Sequence, residues 1–128
     1  MRTMLIGTAL TILATSCTQV ASQMPPDTAE ADPVVTDGDK YHALLENDRV
    51  RVLRYHDEPG EKTHLHHHPE FVLVALAPFR RLLTFPDGSA KEREFVAGDV
   101  AFMQAQSHIG ENIGSTPTEA LLIELKLP

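Results

Sequence analysis

Residues 80–95 read RRLLTFPDGSAKEREF and are typical of a β-hairpin. Two short runs, residues 80–85 and 91–95, flank the turn at residues 86–89. Proline in this turn presets φ, aspartate bonds its own backbone, and glycine supplies a positive φ. The segment therefore predicts two adjacent antiparallel strands.

The same alternation of short runs and turns continues on both sides of this hairpin. From residue 40 onward the chain has no 3.6-residue periodicity, which an amphipathic helix would require. Turn pairs separate the runs at Asn47-Asp48, Pro59-Gly60 and Gly98-Asp99. The predicted strands cover residues 41–45, 49–55, 62–68, 71–77, 80–85, 91–95, 100–103, 108–113 and 119–127. Eight to nine short strands at this spacing predict an all-β domain, either a sandwich, a jelly roll or a small barrel.

Composition limits the classes of function. The chain has 128 residues, 42% of them hydrophobic, which predicts one folded domain rather than a disordered chain. Its formal net charge of −7 argues against a nucleic-acid partner, because nucleic acid requires a clustered basic face. We therefore expect a small molecule as the partner.

Residues 1–16 are predicted to be a signal peptide. Arg2 gives a positively charged start, and residues 4–14 form an apolar stretch too short to span a bilayer as a helix. Residues 17–39 contain three prolines and no periodicity, which predicts a flexible tether before the domain at residues 40–128. Within this tether, residues 33–35 are predicted to form a short strand on the edge of the domain.

Cys17 is the only cysteine and follows the small residues Ala14-Thr15-Ser16. This placement resembles a bacterial lipobox, in which the cysteine is lipidated and anchors the protein to the cell envelope. Cleavage after Ser16 without lipidation is the open alternative, because Ala14 stands where the lipobox has Leu, Val or Ile. The expected location is the periplasm or, by a lipid anchor, the cell envelope of a bacterium.

Histidines concentrate in residues 60–70, which read GEKTHLHHHPE. In a strand, residues i and i+2 share a face, so His64, His66 and His68 are predicted to point one way and His67 the other. Imidazoles placed in this way can converge on one divalent transition metal, such as Fe, Mn, Ni, Zn or Cu. We expect His108 from a distant strand to supply a further ligand.

Two segments resemble the metal-binding motifs of the cupin superfamily. Gly60, His66 and His68 fit the opening of the first motif, and Gly98, His108 and Asn112 fit the second. The resemblance covers about residues 40–128 and implies a double-stranded β-helix, the jelly-roll barrel of cupins. It also implies that His66, His68 and His108 are the metal ligands and that Asn112 supports them.

The sequence departs from the cupin pattern in ways that affect the ligand set. Val72 or Leu73 occupies the position of the glutamate ligand, and Gln104 replaces the proline of the second motif. The resulting three-histidine site resembles that of thiol dioxygenases within the superfamily. Gln104 is a further candidate for a ligand or a supporting contact.

An alternative register keeps a carboxylate among the ligands. His64, His66 and Glu70 also satisfy the spacing of the first motif, with His108 again from the second. The histidines outside the two motifs, His42 and His56, are expected to be solvated.

Two classes of function remain open at this point. The protein could be a mononuclear metalloenzyme of the oxygenase or isomerase type acting on a small molecule, or a metal- or ligand-binding protein of the envelope without catalysis. We expect Val72, Val74, Leu83 and Phe102 to wall a dry pocket beside the metal. A homodimer, paired through the edge of the strand at residues 119–127, is a further expectation.

Overall fold

The computed structural model describes residues 31–128. This part of the chain consists mainly of short strands, as predicted. Its elements are α1 (Pro33–Thr36), β1 (Tyr41–Glu46), β2 (Val50–Asp57), β3 (His66–His68), β4 (Phe71–Ala75), β5 (Phe79–Thr84), β6 (Ala90–Phe95), β7 (Val100–Met103), β8 (Gln106–Asn112) and β9 (Thr118–Leu125).

The strands form two antiparallel sheets. One sheet has the order β1-β2-β9-β4-β7 and the other the order β3-β8-β5-β6. Strands that are neighbours in a sheet are often distant in sequence, as are β2 and β9, which is typical of a jelly roll. The all-β jelly-roll fold predicted from the sequence is confirmed.

The core lies between the inner faces of the two sheets. Strand β9 shows the alternation clearly, because its residues are buried and half-buried in turn along its whole length. A continuous apolar cluster fills the space between the sheets: Tyr41, Leu53, Tyr55, Phe71, Ala75, Phe79, Met103, Ala120 and Leu122.

The central hairpin forms as the turn residues predict. The backbone N–H of Gly88 donates to the carbonyl of Phe85, and Asp87 accepts from the N–H of Ser89, both at 2.9 Å. Gly88 has a φ of 85°, a conformation that L side chains rarely adopt. The turn aligns β5 and β6 so that Arg81 lies opposite Arg93.

The segment before β1 is helical where a strand was predicted. Residues 33–35 belong to α1, so the prediction of an edge strand there is wrong. Pro33 suits the first turn of a helix, and Asp32 caps it by accepting from the N–H of Val34 at 2.9 Å. The backbone of Ala31 also accepts from the N–H of His67 at 2.7 Å, so this end of the predicted tether packs on the barrel.

The predicted signal peptide, Cys17 and the tether up to residue 30 lie outside the described residues. Within residues 31–128, no helix is long and apolar enough to cross a membrane.

Strand β9 has no free edge, which contradicts the predicted mode of dimerisation. It lies between β2 and β4 and is paired with both along its length. Alternate residues of this run, Ala120 and Leu122 among them, face the core from the centre of the sheet, whereas Leu127 lies beyond the strand and is 84% exposed. Within the described chain, β1 and β7 end this sheet.

Replacing Leu53 by alanine tests the position of the core. Leu53 is 0% exposed, whereas Leu44 on the neighbouring strand is 58% exposed. We expect Leu53→Ala to lower the free energy of unfolding by about 2–5 kcal/mol. Leu44→Ala, the matched control, should change it by less than about 0.5 kcal/mol. Urea denaturation measures both, and equal losses would contradict the assignment of the core.

Candidate metal centre

The pairing of β3 with β8 brings together the histidines of the two motifs. Its register places His66 directly opposite His108. The ring centroid of His66 lies 4.8 Å from the centroid of His68 and 4.8 Å from that of His108, and the centroids of His68 and His108 are 5.5 Å apart. One nitrogen from each ring lies within 4.8 Å of the other two. This convergence agrees with the prediction from the sequence.

All three rings are shielded from water. His66 and His68 are 0% exposed, and His108 is 6% exposed. His67 points to the other face, as predicted, where its Nδ1 lies 2.9 Å from the hydroxyl of Ser107. Because side chains alternate along β3, His66 and His68 point into the barrel and His67 points away from the cluster.

Hydrogen bonds fix the orientation of two of the rings. The Nδ1–H of His66 donates to the carbonyl oxygen of His64 at 2.8 Å, and the Nδ1–H of His68 donates to Glu124 Oε1 at 2.7 Å. Since a carbonyl and an ionised carboxylate only accept, both rings carry their proton on Nδ1. Their Nε2 atoms therefore carry the lone pair through which a neutral imidazole binds a metal.

Two buried ring nitrogens have no hydrogen-bond partner in the described part of the chain. They are His68 Nε2 and His108 Nδ1, and both are buried. Tyr41 donates its hydroxyl to Nε2 of His66 at 3.2 Å. Buried polar atoms in native proteins are almost always paired, so orphaned nitrogens beside a ligand cluster fit a cation that takes their lone pairs. The residues present thus fit the metal that the cupin resemblance implies.

Burial keeps the three imidazoles neutral. Burial, with a smaller contribution from the neighbouring imidazoles, lowers the pKa of His66 from 6.5 to about 4 and that of His108 to about 2. Burial also lowers the pKa of His68, against the opposing effect of Glu124. At neutral pH the cluster is therefore in its ligating state.

Glu124 supports the cluster and was not anticipated from the sequence. It is 2% exposed and joins His68 to Arg51, whose Nε donates to Oε2 at 2.6 Å. Burial alone would raise the pKa of Glu124, but the hydrogen bonds from His68 and Arg51 lower it below its usual value. Arg51 in turn donates to Asp32 at 2.6 Å. A charged residue at an inward position of an alternating apolar strand is the signal that could have identified Glu124.

A second buried polar group lies on the inner face of the barrel. Arg81 donates to Asp57 at 2.6 Å and to the hydroxyl of Thr118 at 3.2 Å, and its guanidinium lies 4.6 Å from the ring centre of Tyr55. Asn112 donates to the other carboxylate oxygen of Asp57 at 3.1 Å. Asn112 thus holds a buried acid in place, in line with its expected supporting role.

The alternative register is not assembled. His64 precedes β3, its side chain is 80% exposed, and its ring and backbone N–H both contact Asp37. Glu70 and Gln104 are exposed and do not join the cluster of imidazoles. The prediction that His64 shares a face with His66 is wrong, because residue 64 lies outside β3 and both its ring and its backbone N–H are held by Asp37.

A cavity of about 50 Å³ adjoins the histidines. Leu83 lines it, as predicted, but Val72, Val74 and Phe102 do not. Their neighbours on β4 and β7 face the cavity instead, so the predicted wall is wrong by one residue in these two strands. The cavity is lined by Tyr41, Tyr55, His68, Phe71, Leu73, Phe79, Arg81, Leu83, Arg93, Phe95, Met103, His108, Thr118, Ala120 and Leu122.

Solved structures that share this fold include several cupins. A cupin-domain protein from Bordetella pertussis superposes with a TM-score of 0.62 at 25% identity, over 68% of this chain and 92% of that one. The chain has the cupin fold. An RmlC-like cupin from Methanocaldococcus jannaschii gives a TM-score of 0.55 at 16% identity, over 67% of this chain and 78% of that one. The resemblance to small cupins predicted from the motifs is confirmed.

A further structure with this fold is an enzyme. DMSP lyase from Ruegeria pomeroyi gives a TM-score of 0.53 at 19% identity, over 70% of this chain and 48% of that one. The chain matches no protein-family model and no curated protein in sequence.

The neutral histidines predict that acid destabilises the metal-free protein. Unfolded histidines titrate near pH 6.5, whereas folded His66 titrates near 4 and His108 near 2. Because the pKa values are lower in the folded state, stability is fully present above pH 6.5 and is lost as the pH falls toward the folded values. We expect a loss of about 2 kcal/mol per imidazole between pH 7.5 and 5.

Chemical denaturation of metal-free protein at the two pH values measures this loss. His108→Gln should reduce the difference between them, whereas His42→Gln, a change at an exposed residue of β1, should not. Identical stability of the wild type at pH 7.5 and pH 5 would contradict the burial of neutral imidazoles.

Proposed function

We propose that this protein binds one divalent transition-metal ion through His66, His68 and His108 and acts with it on a small molecule. The observation that carries the proposal is the convergence of three buried imidazoles from two remote strands, with one nitrogen of each within 4.8 Å of the others. A local histidine-rich tract would not require the third ring, which comes from β8.

The donor set favours an open coordination sphere. Three imidazoles leave positions free for water or a ligand, as in catalytic rather than structural sites. No carboxylate is among the ligands, so the bound ion would keep its full positive charge. Such an ion supplies Lewis acidity and lowers the pKa of a bound water.

The surrounding residues prepare the site for that role. Glu124 and the carbonyl of His64 hold the rings of His68 and His66 in the ligating tautomer. Tyr41 places a hydroxyl 3.2 Å from His66 Nε2, where it can donate a hydrogen bond at the centre. The mostly apolar cavity excludes bulk water, which strengthens electrostatic interactions within it.

Enzymatic activity, with the chemistry of an oxygenase or isomerase, is the finer part of the proposal. The open coordination sphere and the cavity beside it support this role. The presence of a lyase among proteins of the same fold shows that the fold can host chemistry on a small molecule. The small size of the cavity favours the second candidate, an envelope protein that holds a metal or a small ligand without turnover.

We also propose export, on the basis of the sequence alone. Residues 1–16 have the features of a signal peptide, and Cys17 stands where a lipobox cysteine would be acylated. The proposed location is the periplasm or the envelope of a bacterium, with a membrane contact only through this lipid.

His108→Ala distinguishes a metal site shared by β3 and β8 from binding by the histidine-rich residues 64–68 alone. We expect the variant to lose about 100-fold or more in Zn²⁺ affinity, because its ring comes from the second strand. His67→Ala is the matched control, since it lies in the same tract but faces away. Competition with a chelator measures the affinity, and elemental analysis of untagged protein gives the stoichiometry.

Equal affinity in His108→Ala and the wild type would show that the tract alone holds the metal. Less than about one tenth of a metal ion per chain after reconstitution would refute the centre itself. Oxygen uptake with a panel of thiols and flavonols, compared between the wild type and His108→Ala, separates the oxygenase from the binder.

Glu124→Gln tests the support of His68. A glutamine does not provide the carboxylate that fixes the tautomer of the ring, and loss of such partners lowers metal affinity by about 10–100-fold. Glu119→Gln on the other face of β9, where Glu119 pairs with Arg54, is the control. Unchanged Zn²⁺ affinity in Glu124→Gln would show that Glu124 serves only the stability of the barrel.

A further inference from the structure

One cation on the inner face of the barrel has no counter-ion in the described chain. Arg93 lies on β6 directly opposite Arg81 on β5. Arg81 is satisfied by Asp57 and Thr118. In contrast, Arg93 Nε is buried without a hydrogen-bond partner, and the ion pairs of residues 31–128 do not include Arg93.

Arg93 stands at the boundary between the interior and the surface. It lines the cavity that also contacts His68 and His108. It also lines an outer groove of about 380 Å³, together with Lys91 and Gln104. A ligand passing from the groove toward the histidines would therefore meet the guanidinium of Arg93.

The position of Arg93 directly opposite Arg81 on the neighbouring strand favours binding of an anion. Like charges directly opposite each other on neighbouring strands destabilise a sheet. A buried donor without a partner adds a further penalty, which is larger when the donor is charged. A carboxylate at Arg93 would relieve both, and the planar fork of a guanidinium matches the two oxygens of a carboxylate.

We infer that Arg93 anchors the carboxylate of a small organic acid whose other end faces His68 and His108. This inference rests on the proposed function, because it names the class of ligand for the same site. The cavity of about 50 Å³ limits the ligand to a few heavy atoms, since a single water needs about 10–15 Å³. The other walls are mainly apolar, and Arg81, which also lines the cavity, is already paired with Asp57. Arg93 is therefore the cation in this cavity that remains for the acid group.

Acetate and acetamide are suitable probes, because they share a shape and differ in charge. Calorimetry measures the binding of each to protein loaded with one Zn²⁺ per chain. We expect acetate to bind at least tenfold more tightly than acetamide, and Arg93→Gln to remove this preference. Arg80→Gln is the matched control, since Arg80 lies on neighbouring β5, is exposed and pairs with Glu92. Arg93→Lys should retain only part of the preference, because lysine lacks the planar fork.

The outcomes separate this inference from the proposed metal centre. An Arg93→Gln protein that binds acetate as tightly as the wild type overturns the inference, and so does a Zn²⁺-loaded wild type with no preference for acetate. Zn²⁺ content is measured on the same samples, so a wild type that takes up no Zn²⁺ refutes the metal centre instead. If the wild type takes up no Zn²⁺ but prefers acetate to acetamide, and Arg93→Gln removes that preference, the role of Arg93 is still supported. If the metal-free wild type shows no such preference, the role of Arg93 is refuted.

Discussion

The antiparallel pairing of β3 with β8 is the constraint on which the candidate centre depends. Strand β3 has only three residues, so few backbone hydrogen bonds hold it. Thr63 extends the pairing, since its N–H donates to the carbonyl of Gly110 at 2.9 Å and its hydroxyl accepts from the N–H of Gly110 at 2.8 Å. A shift of the register by one residue would turn His66 and His68 away from His108.

Strand β8 is in turn fixed by the buried arginine. A side chain at Gly110 would collide with the guanidinium of Arg81, so glycine is required for the strand to approach it. Arg81 is neutralised by Asp57, which also accepts from Tyr55 and Asn112. Burial alone would raise the pKa of Asp57, but Arg81 and the hydrogen bond from Tyr55 hold the pKa below its usual value. The candidate metal centre and the buried ion pair thus both lie in the interior between the two sheets.

The sequence predicted the strands, the hairpin and the three histidines because these depend on local signals. Turn residues mark the ends of strands, and the spacing of His66 and His68 defines one face. The faces of β4 and β7 could not be predicted, because continuous apolar runs such as residues 71–75 carry no alternation. The central position of β9 and the partners of Glu124 depend on contacts between remote segments, which no local pattern encodes.

The contact of Asp32 with Arg51 links the segment before β1 to the histidine cluster. A chain of hydrogen bonds runs from Asp32 through Arg51 and Glu124 to the ring of His68. The segment before β1 therefore helps to orient an imidazole of the candidate centre. Cleavage between Asp32 and β1 would leave every strand intact and still remove one partner of the Arg51–Glu124 pair that orients His68, so under the proposed function the integrity of this segment and metal affinity are coupled.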